Sequence, residues 1–406
     1  MAERKILHSD ANAFYASVEC ALHPELKGRA VAVCGSAEDR HGIVLAKSEL
    51  AKRTGIKTGM TNRQAKALCP DLVIVPPHHD IYAKFSKRLH EIYGRYTDFV
   101  EPYGLDECWL DVTRCNKPPL QIAEELRETV KREIGITVSV GVSFNKAFAK
   151  LGSDLKKPDA VTEITRENFR EKVWRLPCSD LIYCGRATTE KLKSFGIRTI
   201  GELAHCKREF LEKQFGKNGG KLWQNANGLD DTPVSRYGEE EQAKQVGHGV
   251  TCVADLSDLE EARAVLVALT QEIGHKLRLL KLQANGVQVT VRDNGLAFES
   301  WQEKLETPTQ SAAVLAAASL DILRKRYQWK RKIRALTVSA IHLESVEAPR
   351  QLSLFGETDE KQRRVEEALD KIKGKFGDGA IRPAVLLGET KLPEHKDGRQ
   401  APLPKA

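Results

Sequence analysis

Three acidic residues stand in apolar company. Asp10 ends a short strand-like run that begins Lys5-Ile6-Leu7-His8, and Asp106-Glu107 sits at the start of another, Leu105 to Val112. Acids among apolar strand residues cost free energy to bury unless something neutralises them. A divalent cation would do so. Mg2+ takes hard oxygen ligands, and two such ions about 3.5–4 Å apart can clamp both oxygens of an in-line phosphoryl displacement. Geometry adds a demand. Neighbours in a regular strand point to opposite faces, so Asp106 and Glu107 can share a site only at a strand end or turn, and Gly104 just before them favours a turn. A lone Asp-Glu pair is more simply two surface acids at a strand end, so both readings stand at this point.

Around these acids the chain alternates strands and helices. Ala30 to Val33 and Thr137 to Val142 read as further strands. Helical spacing of apolar residues predicts helices over 11–22, over 80–97 (Ile81, Phe85, Leu89, Ile92, Tyr96) and over 121–134. The mixture predicts a sheet with packed helices to about residue 172. Residues 173–229 are short helical pieces broken by Pro177, Gly185, Gly196, Gly216 and Gly219-Gly220, and 230–247 reads as a polar linker. A second α/β unit follows, with helices over 260–282 and 312–327 and strands over 286–292 and 335–343. Beyond Gly356 the chain is charged. Val365, Leu369, Ile372 and Phe376 mark one amphipathic helix there, and the last dozen residues read as disordered.

At 406 residues, roughly 150 per domain, two to four folded units are expected. No run approaches the ~18 uncharged apolar residues of a membrane helix, and no secretory leader is visible at the start. Nine cysteines form no CxxC pair, which fits reduced thiols and predicts a cytoplasmic protein. Lys plus Arg number 64 against 56 acids, a net +8, which hints at a polyanionic partner.

The wording around the acids is more specific. His8-Ser9-Asp10-Ala11-Asn12-Ala13-Phe14-Tyr15-Ala16-Ser17-Val18-Glu19 resembles the opening motif of the Y-family DNA polymerases, the translesion class. Tyr103 to Val112 resembles their second catalytic motif. Residues 138–158, with Asn145-Lys146, Ala149-Lys150, Ser153-Asp154 and Lys157-Pro158, resemble the third. Three motifs in order and at the expected spacing are strong where one would be weak. The resemblance extends to about residue 345 and is nearest to the bacterial polymerase IV branch.

That resemblance implies a multidomain α/β right-hand polymerase. Residues 1–15 and 76–172 would form the palm, 16–75 small fingers, 173–229 a helical thumb, 230–247 a linker, 248–346 an α/β little finger and 347–406 a clamp-binding peptide with a charged tail. Asp10 and Asp106 would bind both of two Mg2+ ions, with Glu107 on the ion that activates the primer 3′-hydroxyl and the Ala11 carbonyl completing one site. Tyr15 aligns with the steric gate against ribonucleotides. Phe14 beside it reads equally as core. Lys52 and Lys157 align with an arginine and a lysine that contact the triphosphate. Lys lacks the planar fork of Arg, so the first swap predicts weaker phosphate binding.

Four departures qualify the match. Glu49 stands where Tyr is usual, and would repel a triphosphate unless it pairs with Lys52 or Arg53. Asn12 replaces Asp, Gly104 replaces Ser, and Tyr183-Cys184-Gly185 replaces a Gly-x-Gly turn that would bind a DNA phosphate through backbone N–H groups. Gly185 remains.

For DNA contact, Arg324, Lys325, Arg326, Lys330, Arg331, Lys332 and Arg334 crowd eleven residues without an acid. Such a cluster gives salt-sensitive backbone affinity through counterion release. Gln351-Leu352-Ser353-Leu354-Phe355 matches the bacterial sliding-clamp peptide. A given pentapeptide arises by chance in a chain of this length about 1 time in 8,000, so the match carries weight. Leu354 and Phe355 would be apolar anchors and Gln351 a polar specifier.

The leading expectation is a monomeric template-directed DNA polymerase that acts on primer-template DNA with deoxynucleoside triphosphates, tethered to the clamp. The alternatives are a clamp-bound scaffold with little polymerase activity, motivated by Glu49 and the altered thumb, and a two-metal nuclease, which leaves Tyr15 and the clamp peptide unexplained.

Overall fold

A computed structural model of the chain describes residues 3–36, 42–239, 243–348, 360–377, 379–388 and 390–393. The described residues separate into two compact units that meet in sequence near residue 240.

In the first unit β1 (Ile6–Ala11) passes through Ala13, left-handed at φ 49°, into α1 (Phe14–Leu22). A small lobe follows, made of β2 (Val31–Cys34), β3 (Val44–Lys47), α2 (Glu49–Arg53), α3 (Asn62–Leu68) and β4 (Val73–Val75). Its three strands lie in the order β3-β2-β4, and Ser48 and Thr61 cap its helices. The chain then adds α4 (His79–Tyr93), β5 (Val100–Tyr103), β6 (Glu107–Asp111), α5 (Pro119–Ile134), β7 (Val138–Ser143), α6 (Lys146–Leu155) and β8 (Val161–Ile164). These complete a five-stranded sheet in the order β5-β6-β1-β7-β8.

Every residue of the central strand β1 is buried, because helices cover both faces of the sheet. Leu7, Leu110 and Val142 meet Leu89, Leu126 and Val130 of α4 and α5. Ile6 and Trp109 face Ala149 of α6 instead. The α6 backbone comes so close to β7 that a Cβ on Gly141 would fall 1.8 Å from the Ala149 carbonyl oxygen. The helix expected from Ala11 starts at Phe14, because the Ala11 and Asn12 amides still donate to Asp106 and Thr137. The strand expected from Leu105 starts at Glu107, because Gly104, at φ 80°, opens a turn that runs through Asp106.

The helical stretch holds α7 (Phe169–Val173), α8 (Arg186–Ser194), α9 (Ile200–His205), α10 (Arg208–Phe215) and α11 (Lys217–Ala226). Its core of Leu192, Ile200, Leu203, Leu211 and Leu222 joins Phe148 and Ile164. The polar span after it is not all free. Arg4 donates to the carbonyls of Asp230, Asp231 and Thr232, the Ser235 amide donates to Glu101, and Val234 is buried beside Ile6 and Trp109. Composition had suggested a loose connection, but specific side chains bind the first part of it.

The second unit contains β9 (Gln245–Leu256), α12 (Leu259–Leu279), β10 (Leu282–Asp293), β11 (Phe298–Thr309), α13 (Ala312–Arg326) and β12 (Ile333–Ser345). Its antiparallel sheet runs β11-β10-β12-β9. β11 gave no sequence signal. It is an edge strand, and Glu299, Glu303 and Glu306 leave most of it polar and exposed, as edges are in natural sheets. The helix expected to reach 282 ends at Leu279, and Leu282 already belongs to β10.

The charged tail does form α14 (Glu360–Phe376), and its deepest described contact is made by an acid, while its apolar stripe is split between half-buried Leu369 and Ile372 and exposed Val365 and Phe376. Glu366 is 4% exposed, while Val365 is 47% and Phe376 67% exposed. Arg278 of α12 binds Glu366 at 2.6 Å and Asp370 at 2.6 Å, and Glu366 also accepts from the Ser311 hydroxyl and the Ala312 amide at the start of α13. Among the described residues no helix is long and apolar enough to cross a membrane. The dozen terminal residues expected to be disordered lie outside the described residues.

Candidate functional site

Asp10 and Glu107 are direct cross-strand partners on β1 and β6. Partners in an antiparallel pair project to the same side, so residues 97 apart in sequence become neighbours. Asp106 reaches the same place from the turn, where its carbonyl accepts from the Ala11 amide at 3.0 Å. Mutual proximity shows in the electrostatics. Burial first, then the charges of Asp10 and Glu107, pushes the Asp106 carboxyl up from 3.8 to about 6.

Two lysines from the α6 region neutralise the other two acids. Lys157 donates to Asp10 at 2.6 Å and to Asp154 at 2.7 Å. Burial still raises the Asp10 carboxyl against that pull. Lys150 is ion-paired with Glu107 Oε2. His8 Nε2 lies 3.1 Å from the same oxygen. Burial alone would raise Glu107, but His8 and Lys150 hold it down to about 2. His8 is fully buried, which pushes it down to about 4 and leaves it neutral at pH 7.

Beside the acids is a cleft of about 260 Å³ lined by Phe14, Tyr15, Leu45, Ala46, Leu105 and Asp106. The Tyr15 ring is stacked on Tyr82 at 4.1 Å and meets His79 edge-on at 5.7 Å. Tyr82 is itself fixed, since its hydroxyl donates to the buried Glu19 at 2.5 Å. Phe14 is buried in the core and also borders the cleft. Lys52 is on α2, paired with Glu49 at 3.7 Å, so the departing acid is neutralised by its own neighbour.

Gly185 stands at the start of α8 with open space around its Cα, next to Tyr183 in a left-handed conformation at φ 68°. In the second unit Arg324, Lys325 and Arg326 end α13, Lys330, Arg331 and Lys332 lie in the following loop, and Arg334 is in β12. All are exposed except the half-buried Arg334. Lys325 is paired with Asp321 and Arg331 with Asp293. Residues 351–355, the expected clamp peptide, lie outside the described residues.

The donor set suits a hard divalent ion: three carboxylates and the Ala11 carbonyl at one end of adjacent strands. As they stand, no three acidic, histidine or cysteine side chains among the described residues are gathered closely enough to ligate an ion. Lys150 and Lys157 account for this, because each draws a carboxylate to itself. Asp106 has no such lysine, and burial together with the two neighbouring acids keeps its carboxyl raised. The residues therefore fit a divalent cation that would replace the lysine contacts.

Sequence reading named the acids but gave no role to His8, Lys150, Ser153 or the buried Asn12. Period-two alternation would have put His8 on the face of Asp10, and the i, i+3 spacing of Lys150 and Ser153 put both on one side of α6. Asn12 accepts from the Asp159 amide and Thr137 and donates to Ser139, and so pins the loop that carries Lys157.

Residues 9–154 match the impB/mucB/samB family, residues 243–354 its C-terminal domain, and residues 180–230 the DNA polymerase-iota thumb domain. A DNA polymerase IV of Acetivibrio thermocellus is 45% identical over 395 residues, covering 96% of this chain and 99% of its own. One from Moorella thermoacetica is 38% identical over 386 residues, covering 94% and 96%. Among solved structures, a Y-family DNA polymerase chimera superposes with a TM-score of 0.75 at 23% identity, over 84% of this chain and 99% of that one. The chain belongs to the Y-family DNA polymerases, in the DNA polymerase IV group of the impB/mucB/samB family.

Proposed function

We propose that this chain is a template-directed DNA polymerase of the translesion type that extends a primer 3′-hydroxyl with deoxynucleotides. The observation that carries the reading is the meeting of Asp10, Asp106 and Glu107 at the edge of the Tyr15 cleft. The five-stranded sheet would act as palm, the small lobe as fingers, the helical stretch as thumb and the second unit as little finger. Asp10, Asp106, Glu107 and the Ala11 carbonyl would hold two Mg2+ ions. Bound, these would neutralise the triphosphate and lower the pKa of the primer hydroxyl.

The chain's own groups do the rest. Lys157, now on Asp10 and Asp154, would supply positive charge to the triphosphate once Asp10 is otherwise neutralised. Tyr15, braced on Tyr82, occupies the place where a ribose 2′-hydroxyl would collide. The basic residues 324–334 and Gly185 grip DNA phosphates with no base-reading element, since pairing with the template supplies sequence. Gln351-Leu352-Ser353-Leu354-Phe355 tethers the enzyme to the sliding clamp and raises its concentration at the primer end. The scaffold alternative loses one of its two motives, since Lys52 pairs with Glu49, and the altered turn at Tyr183-Cys184-Gly185 remains the other.

Primer extension with purified protein and Mg2+ tests the reading. Extension is expected, with loss after Asp106→Ala or Glu107→Ala. Full extension by either variant would overturn the metal roles, and no extension by the unaltered chain together with tight clamp binding would favour the scaffold.

A further inference from the structure

Tyr15 is placed by its ring. Among the described residues its hydroxyl makes no hydrogen bond, and the ring meets Phe14 at 5.8 Å, His79 at 5.7 Å and Tyr82, which lies nearly parallel at 4.1 Å and 14°. Tyr82 is placed differently. It is fully buried, and its hydroxyl donates to Glu19 Oε1 at 2.5 Å. His78 Nδ1 lies 2.9 Å from the same oxygen. Glu19 itself is 1% exposed. Tyr15 and Glu19 are four apart on α1 and so share one of its faces. The other partners come from the N-terminal end of α4, where His78 is the cap and His79 and Tyr82 are three apart.

A buried carboxylate is costly unless it is hydrogen-bonded, and a phenylalanine would fill the place of Tyr82 without needing one. The acid and the hydroxyl together supply what packing alone does not, a fixed position for the Tyr82 ring. Hydrogen bonds to a carboxylate are short and strong. Burial first, then the bond to Glu19, pushes the Tyr82 hydroxyl well above its ordinary pKa, so it remains a donor. The parallel contact passes that position on to Tyr15, which lines the cleft while Glu19 does not. Position matters because a pocket rejects one added hydroxyl only weakly unless its wall holds still. A displacement of about 1 Å at a reacting site can change a rate by about 100-fold.

We propose that Glu19 is a positioning residue for sugar discrimination: through the Tyr82 hydroxyl it fixes the ring that backs Tyr15, so that Tyr15 does not yield to a ribose 2′-hydroxyl. This rests on the gate reading of Tyr15. His78 is the second group on the same carboxylate oxygen and holds it from the half-exposed side. Loss of the anchor leaves both rings in place as bulk but frees them to shift, and the substrate that gains is the ribonucleotide.

The test is single-nucleotide extension by the full chain on a primer-template with Mg2+, comparing kcat/KM for a ribonucleotide and the matching deoxynucleotide, with a thermal melt of each variant. Tyr82→Phe, which keeps the ring and removes the hydroxyl, should raise the ribonucleotide-to-deoxynucleotide ratio on the order of 10-fold, and Glu19→Leu by a similar factor. Glu19→Gln, which keeps an accepting oxygen, should retain most of the discrimination. Adding Tyr82→Phe to Tyr15→Ala should raise the ratio no further than Tyr15→Ala alone, because the effect runs through the Tyr15 ring. A merely structural role would not produce that pattern. A parental ratio in Tyr82→Phe overturns the inference, as does a double variant whose two effects multiply. If Tyr82→Phe melts early, a parental ratio in Glu19→Leu decides in its place. Tyr15→Ala separates the two readings. If it leaves the ratio unchanged, the gate reading falls first; if it raises the ratio while Tyr82→Phe and Glu19→Leu do not, only the Glu19 role falls.

Discussion

Asp106→Asn should stabilise the metal-free protein at neutral pH. The Asp106 carboxyl is raised from 3.8 to about 6 by burial and by the charges of Asp10 and Glu107. For an acid, a folded pKa above the unfolded one means that folding favours the protonated form. The ionised group therefore costs stability above pH 6, the cost shrinks as pH falls from 6 towards 4, and it is absent below 3.8. A shift of about 2 units corresponds to about 3 kcal/mol as a ceiling. Asp106 is only half-buried, so solvent and relaxation should reduce this to about 1–2 kcal/mol. At roughly 2–4 °C per kcal/mol, the melting temperature of the Asn variant in EDTA should be higher by roughly 2–8 °C at pH 8 and nearly equal to that of the unaltered protein at pH 4. Saturating Mg2+ should erase or invert the difference, since it would stabilise three carboxylates more than two. A variant less stable than its parent at pH 8, or a difference that does not vary with pH, would refute the claim that these acids share one site.

Other outcomes follow from single contacts. Tyr15→Ala removes the ring stacked on Tyr82 and should raise ribonucleotide over deoxynucleotide incorporation by on the order of 10–100-fold in single-nucleotide extension. Gly141→Ala places a Cβ 1.8 Å from a backbone oxygen of α6 and should cost about 3 kcal/mol or more in urea unfolding, because backbone cannot swing aside. Arg278→Ala removes the one cation paired with the buried Glu366 among the described residues and leaves Asp370 only His275, should cost the second unit about 3 kcal/mol, and should make α14 a preferred site of limited trypsin cleavage.

The site was more legible in sequence than its surroundings. Asp10, Asp106 and Glu107 could each be a plain surface acid, and they stood out because the three motifs around them resemble one polymerase family in order and spacing. The turn at Gly104 was predictable because strand alternation otherwise separates the two adjacent acids. The partners of these acids were hidden. Lys150 and His8 read as ordinary polar residues, and Lys157 was expected on a triphosphate and not on Asp10, until pairing in the sheet and the close approach of α6 at Gly141 bring them within reach. β11 escaped notice because an edge strand need not alternate cleanly. The α14 stripe misled for a related reason. Its apolar residues suggested the packed side, but a buried arginine on α12 draws in the acid Glu366, and Val365 and Phe376 stay exposed. Periodicity reports what a helix could bury, and the partner decides what it does bury.

The place where Glu366 sits changes how C-terminal deletions must be read. Removing everything after residue 348 would delete the proposed clamp peptide, but it would also take the acceptor from the Ala312 amide at the start of α13 and strip Arg278 of both its carboxylate partners. A chain shortened in this way would lose activity through a weakened second unit even if it had never touched a clamp. Substitutions confined to Leu354 and Phe355 separate the two causes, because they leave that acidic anchor in place.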